Sequence, residues 1–177
     1  MTHSPTTSIC PSRRGRPPLL PTLFDRLQDD NPSQSSEPPS AYAHSPETLR
    51  RSIRRDLAFL LNTLNASDLI DATTHPHAVT SCLNFGIPPL AGRPVDAAGW
   101  ADIENLIRNA IGQFEPRFDP ASLQVKPLPR RPPSAGRGDG HLLHFEIRVD
   151  IRARPYPLEF LVQSAIDLET SRLGDFT

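Results

Sequence analysis

A glutamate and an arginine flank a proline at Glu115-Pro116-Arg117, the stretch of the sequence best suited to chemistry. Proline fixes its own backbone angle and disfavours helix for the residue before it, so the two charges are held at a rigid corner. A carboxylate and a guanidinium placed in this way can clamp the fold, contact a partner or serve an active site.

Acid catalysis at this corner would require a protonated Glu115 and a second carboxylate, for which Asp119 is the candidate. Glycoside hydrolases place two such groups roughly 5 to 10 Å apart and keep one of them neutral. Arg117 would stabilise the ionised form of Glu115 if the two side chains paired, which argues against this chemistry.

Other candidate sites are weaker. His75 and His77 lie two residues apart, but no further ligand follows at metal-binding spacing, so no metal is predicted. The Gly-rich end of the 130–140 segment lacks the Lys and Ser/Thr of a phosphate-binding loop and precedes no helix. We therefore expect no cofactor.

The corner joins the best helical pattern of the chain to its best strand pattern. Upstream, apolar residues recur at spacings of three and four, which predicts an amphipathic helix that Pro116 ends. Asp96 is the expected cap of this helix. Its predicted buried face comprises Trp100, Ile103, Leu106, Ile107, Ala110, Ile111 and Phe114.

Two more helices are predicted before it. The first begins at Ser45-Pro46-Glu47, a cap followed by proline and an acid, and should run to about Asn65. The second should run from His75 to a stop at Gly86 and bury Cys82 as an inert thiol, with no disulfide to Cys10. The buried stripe of the first is Leu49, Ile53, Leu57, Leu60, Leu61 and Leu64, opposite a solvated face of Arg50, Arg51, Arg54 and Arg55.

Strands dominate the rest of the chain. Residues 143–151 alternate strictly between apolar and charged, residues 158–162 continue in strand phase, and residues 123–125 form a short strand that nearby prolines confine to an edge. The order of helices followed by strands predicts an α+β fold, with helices packed on one face of a small antiparallel β-sheet.

The composition of the chain excludes some classes of protein and indicates how the chain is divided. The chain has 177 residues and a net charge of -1, which gives no electrostatic case for nucleic acid or a membrane surface. Of its 21 prolines, nine precede residue 47, so we predict a disordered Pro/Ser-rich tail over 1–44, a folded domain over 45–170 and a short C-terminal tail over 171–177. No signal peptide or membrane span is recognisable, so the protein is expected in the cytoplasm.

One apolar turn interrupts the tail. Thr22 can cap a short helix over residues 21–28, with Asp25 in the capping position. Leu23, Phe24 and Leu27 then share one face. This helix either folds back onto its own domain or docks into a groove of a partner, and the sequence leaves both possibilities open.

These residues together resemble the TssE family of baseplate subunits of the bacterial type VI secretion system, which is similar to the lysozyme-like wedge subunit of contractile phage tails. Four stretches in order carry the resemblance: 23–27 (LFDRL), 55–63 (RDL and LLNT), 83–92 (LNFGI, then Leu90 and Gly92) and 114–117 (FEPR) before the strands.

The resemblance implies a cytoplasmic structural subunit that joins baseplate wedge proteins and connects the baseplate to the sheath. It implies partner binding by Glu115, Pro116 and Arg117, and we expect the same of Leu23, Phe24 and Leu27. An edge strand, over 158–162 or 123–125, could also accept a strand of a sheath protein. The family's likeness to lysozyme implies a rival, a peptidoglycan-cleaving hydrolase that uses Glu115 as its acid, but we expect a scaffold and not an enzyme. A regulator that binds proteins through the same fold is a further alternative.

Overall fold

The computed structural model describes residues 22–27, 32–33, 45–93, 97–129, 142–153, 156–174 and 176. Its elements are the helices α1 (Leu23–Leu27), α2 (Pro46–Asn62), α3 (Pro76–Val79) and α4 (Ala97–Phe114), and the strands β1 (Gln124–Pro127), β2 (Leu142–Ile151), β3 (Leu158–Asp167) and β4 (Arg172–Leu173). The predicted α+β class is confirmed. The expectations for Cys10, Asp96 and the 130–140 loop lie outside the described residues.

The strands form one antiparallel sheet in the order β1-β2-β3-β4. Its centre is the β2–β3 ladder, which pairs Leu142 with Asp167 at one end and Ile151 with Leu158 at the other. Alternate residues of these two strands are buried, as the sequence predicts, and they share a single core with α2 and α4. The sheet side of that core comprises Phe145, Ile147, Val149, Ile151, Phe160, Val162 and Ile166.

Helix α2 begins as its sequence predicts. The Ser45 hydroxyl accepts a hydrogen bond from the Thr48 amide at 3.1 Å, and Pro46 occupies the first turn. The helix ends at Asn62, earlier than expected, and Leu64 therefore leaves the helical phase. Leu64 is 54% exposed, so its predicted place in the buried stripe is wrong.

The single helix predicted between His75 and Gly86 is wrong. It divides into α3 and a 3₁₀ turn at Cys82–Asn84, and Cys82 is exposed rather than buried. The reason is the side chain of Asn84, which is buried and donates to the Val79 carbonyl at 3.0 Å while accepting from the Ala66 amide at 2.9 Å. The first bond takes up a carbonyl that a continuous helix would have used, and the second ties Asn84 to a segment outside the predicted helix.

Gly86 does not cap a helix either. It has a φ of 120°, and the residue directly after it, Ile87, forms a parallel bridge with Leu64. The Ile87 amide donates to the Thr63 carbonyl at 2.9 Å, which brings the two segments into close contact. A glycine is needed because its backbone conformation is one that other residues rarely adopt.

Candidate functional site

The corner predicted at residues 115–117 is anchored on both sides. Helix α4 ends where expected, with the Glu115 amide bonded to the Ile111 carbonyl at 2.9 Å. Beyond the proline, Phe118 forms an antiparallel bridge with Ile151, and the Arg152 amide donates to the Arg117 carbonyl at 2.7 Å. The backbone of the corner is therefore fixed between the end of a helix and the end of β2.

Glu115 and Arg117 pair with each other. Glu115 is only 5% exposed, and the Arg117 Nε donates to its Oε1 at 2.6 Å while the Arg117 Nη2 contacts its Oε2. The Arg117 amide also donates to Oε1 at 3.2 Å. The sequence allowed these two charges to clamp the fold, contact a partner or serve an active site, and in the structure they form an internal clamp. A buried carboxylate held by a bidentate guanidinium rigidifies the turn that carries it.

Asp56 completes the clamp from helix α2. Its Oδ2 accepts from the Arg117 Nη2 at 2.7 Å. Burial opposes the charge on Arg117, but hydrogen bonds to Glu115 and Asp56 outweigh this effect and raise its pKa. The sequence reasoning did not identify Asp56 as a site residue, because no local pattern indicates a contact with a residue 61 positions away.

Helix α1 joins the same cluster. Asp25 accepts from Arg55 at 2.7 Å and from the Ser52 hydroxyl at 2.9 Å, and Arg55 donates in turn to Asp56 at 2.9 and 3.1 Å. Arg55 is thus engaged in ion pairs, and its predicted place on a solvated face is wrong. The cap at Thr22 forms as predicted, since its hydroxyl accepts from the Asp25 amide at 3.2 Å. Helix α1 folds back onto its own domain.

The apolar side chains of α1 face away from this contact. Leu23 is 72% exposed and Leu27 is 75% exposed. The side chain of Phe24 lies outside the described residues. Polar and charged contacts therefore fix α1 to α2, and the apolar face expected to bind a partner stays accessible at these two leucines. Partner binding by Leu23, Phe24 and Leu27 stays a prediction.

An apolar groove of about 630 Å³ opens beside the clamp. Phe85 and Phe114 meet edge to face in its wall, with ring centroids 5.2 Å apart. Phe59, 60% exposed, stands at its rim. We call this the corner groove; it is lined by Thr22, Leu23, Asp56, Phe59, Leu60, Phe85, Phe114, Glu115, Pro116 and Arg117.

The corner groove is poorly equipped for glycoside hydrolysis. Both oxygens of Glu115 are engaged by Arg117, so neither is positioned to give a proton to a substrate. Asp119, the second carboxylate considered from sequence, does not line the groove; it accepts from the Ala121 amide at 3.3 Å and lies 3.8 Å from Arg152. Asp56 does line it, but arginines hold both of its oxygens.

His75 and His77 are both exposed. Over the described ranges, no cluster of three or more His, Cys, Asp or Glu side chains is arranged to hold a metal ion. Among the helices of those ranges, none combines the length and the apolar character needed to cross a bilayer.

Comparison with known families identifies the class of protein that this fold and clamp define. The sequence model of the family described as "Baseplate wedge protein gp25" matches residues 47–156, more than half of the 177 residues. The chain therefore belongs to the baseplate wedge protein gp25 family, and the resemblance to TssE, a member of that family, is confirmed. No match is found among curated proteins or among solved structures.

The matched range contains the clamp and all of α2 after its first residue, and it ends before β3, while α1 lies outside it. A baseplate wedge protein is a structural component of phage tail-like machinery that contacts other baseplate components. This much follows from membership of the family.

Proposed function

We propose that this protein is a TssE-type wedge subunit of a type VI secretion baseplate in the bacterial cytoplasm. It would join neighbouring wedge subunits and connect the baseplate to the sheath, and it would have no catalytic activity. The folded unit for this role is the 45–170 domain, extended beyond residue 170 by β4, which pairs with β3, and joined by α1, which docks on α2. The observation that carries the proposal is the pairing of a rigid clamp with an accessible apolar groove in a chain of the wedge family.

The corner groove is the proposed contact for a wedge subunit. Its clamp gives it a fixed shape, and a preformed concave apolar surface binds a partner at a lower entropic cost than a flexible one. Pro116 is exposed at the corner groove. The exposed ring of Phe59 and the exposed side chain of Leu23 form the rim of the groove. Glu115 serves this contact by holding Arg117, since Glu115 itself is buried.

A second proposed contact is the outer side of β3. Among the described residues, β4 pairs with β3 only at Ile166 and Asp167, so the 158–162 stretch pairs with β2 on one side and has no neighbouring strand on the other. The other candidate, β1, has only four residues and ends in Pro127, which cannot donate to an added strand. We therefore favour residues 158–162 as the edge that accepts a strand of a sheath subunit.

The test is a copurification experiment. The tagged full-length protein is expressed together with the wedge subunits of the same secretion cluster, and the amount of each wedge subunit recovered with the tag is measured. Phe59→Ser removes an exposed ring from the rim of the corner groove, so it should reduce recovery of wedge subunits at least about fivefold without loss of stability. Leu83→Ser is the matched control, because Leu83 is 96% exposed and lies outside the groove. Equal recovery with both variants would refute the contact, and clearing of peptidoglycan by the purified protein would refute the absence of activity.

A further inference from the structure

Five alternating charges connect α1 to the corner. In order, Asp25, Arg55, Asp56, Arg117 and Glu115 each contact the next, with N–O distances of 2.7 Å from Asp25 to Arg55 and 2.7 Å from Asp56 to Arg117. We call this set the charge chain. Its ends belong to segments 90 residues apart in sequence (115 − 25), so it links two elements that no backbone ladder joins.

The attachment of α1 depends on this chain. Because Leu23 and Leu27 remain 72% and 75% exposed, burial of these leucines contributes little to docking. The described contacts that hold α1 instead converge on the Asp25 carboxylate, which accepts from Ser52 and Arg55 of α2. Loss of that one carboxylate should therefore release α1.

The orientation of Arg117 depends on the same chain from the other end. Its Nε and Nη2 make all of its described side-chain hydrogen bonds, whereas its Nη1 is buried with no hydrogen-bond partner among the described residues. A buried donor without an acceptor is costly, so the guanidinium would turn if its present partners held it less firmly. Of the two carboxylates that hold Arg117, Glu115 belongs to the corner and Asp56 belongs to α2. A change outside the corner can therefore reach Arg117 through Asp56.

Asp56 is shared between two arginines. Its Oδ1 accepts from Arg55 and its Oδ2 accepts from Arg117. Because Asp25 also neutralises Arg55, Asp56 is attracted less strongly to Arg55 and holds Arg117 more firmly. Removal of Asp25 strengthens the pull of Arg55 on Asp56 and so weakens the hold of Asp56 on Arg117.

We infer that Asp25 is a positioning residue: docking of α1 through Asp25 sets the orientation of Arg117 by way of Arg55 and Asp56. The inference rests on the proposed function, in which the corner groove contacts a wedge subunit. Thr22 and Leu23 line that groove together with Arg117, so the same docking event also completes its wall. Binding at the groove and docking of α1 then favour each other, because such coupling is reciprocal.

The experiment measures hydrogen exchange by NMR on the isolated full-length chain. Asp25→Asn tests transmission toward the corner, and its readout is the Arg117 Nε–H, which Asp25 does not contact. Asp56→Asn cuts the charge chain in the middle, and its readout is the Asp25 amide in α1. Each exchange rate should rise about threefold or more, within the range of coupling seen in shared ion-pair networks.

Glu104→Gln is the control, since it removes a carboxylate from the 2.6 Å pair with Arg108 on α4, outside the charge chain. It should change neither rate. Ser52→Ala provides a second variant that loosens the docking of α1 without changing any charge, and it too should speed exchange at the Arg117 Nε–H.

A merely structural Asp25 would loosen α1 and leave the Arg117 Nε–H unchanged. Unchanged exchange at Arg117 in both Asp25→Asn and Ser52→Ala would therefore overturn the positioning role, even if the tagged chain copurified with wedge subunits. Faster exchange without any copurification would support the coupling and refute the proposed function instead, so the two failures are distinguishable.

Discussion

Replacement of Arg117 by alanine tests whether the clamp is as internal as its geometry indicates. The change removes the bidentate partner of Glu115, which is 5% exposed, and one partner of Asp56. Loss of one member of a buried pair costs about 3 to 5 kcal/mol, because the other charge stays buried without compensation. The Arg117 side chain is 23% exposed, so water can reach part of the site, and we expect about 3 kcal/mol.

Urea denaturation at neutral pH measures this loss as a shift in the unfolding midpoint at a constant slope. The control is Arg148→Ala. It breaks a cross-strand pair with Glu159 in which both side chains are 55% exposed, and it should cost no more than about 1 kcal/mol. A double variant, Glu115→Gln with Arg117→Met, removes both charges and should recover much of the loss.

Two results would refute the reasoning. A loss below about 1 kcal/mol for Arg117→Ala would mean that Glu115 is satisfied without its arginine. A double variant no more stable than Arg117→Ala would mean that the uncompensated carboxylate is not the source of the loss. Because stability and partner binding both depend on Arg117 under our proposal, Arg117→Lys in the copurification assay gives a milder test of the contact.

Two further predictions concern the backbone and pH. Gly86→Ala should destabilise the fold by about 3 kcal/mol or more in urea denaturation, because its Cβ would lie 2.2 Å from the Thr63 carbonyl oxygen. Gly92→Ala, at a φ of +78° with nothing within 4 Å, should cost only about 1 kcal/mol, and equal losses would contradict the steric explanation. Burial raises the pKa of Asp25, but hydrogen bonds from Thr22, Arg55 and Ser52 outweigh it and hold the pKa well below its ordinary value of 3.8. Docking of α1 should therefore be fully stable above that ordinary value and weaken as the pH falls toward the lowered one. Intrinsic amide exchange is itself slower at low pH, so the comparison uses protection factors, and equal protection factors of the α1 amides at about pH 6 and about pH 3 would contradict the assignment.

The elements that the sequence predicts correctly are those with strong local patterns. Helix α4 and its end at Phe114 follow from the apolar period and from Pro116, and the β2–β3 ladder follows from strict alternation. The caps at Ser45 and Thr22 were predictable for the same reason, since each bond joins residues three apart.

Errors occur where distant contacts override local preference. The segment from His75 to Gly86 has helical spacing, but a helix this short is marginal by itself, and the side-chain amide of Asn84 bonds to residues on two other turns. The charge chain was missed likewise, because the sequence places Arg55 on a solvated helix face and no local pattern marks Asp56 as part of a site. Only the fold brings Asp25 and Arg117 to opposite sides of these two residues.

The open side of β3 has a consequence for the free subunit. An unpaired strand edge is a template for another copy of the same strand, and Leu161, 42% exposed, adds an apolar side chain there. Arg50 donates to the Glu159 carbonyl at 3.3 Å and places a positive charge on that edge, so two copies that approach edge to edge repel each other. Salt screens this repulsion, and we therefore expect the purified subunit to self-associate more readily as ionic strength rises.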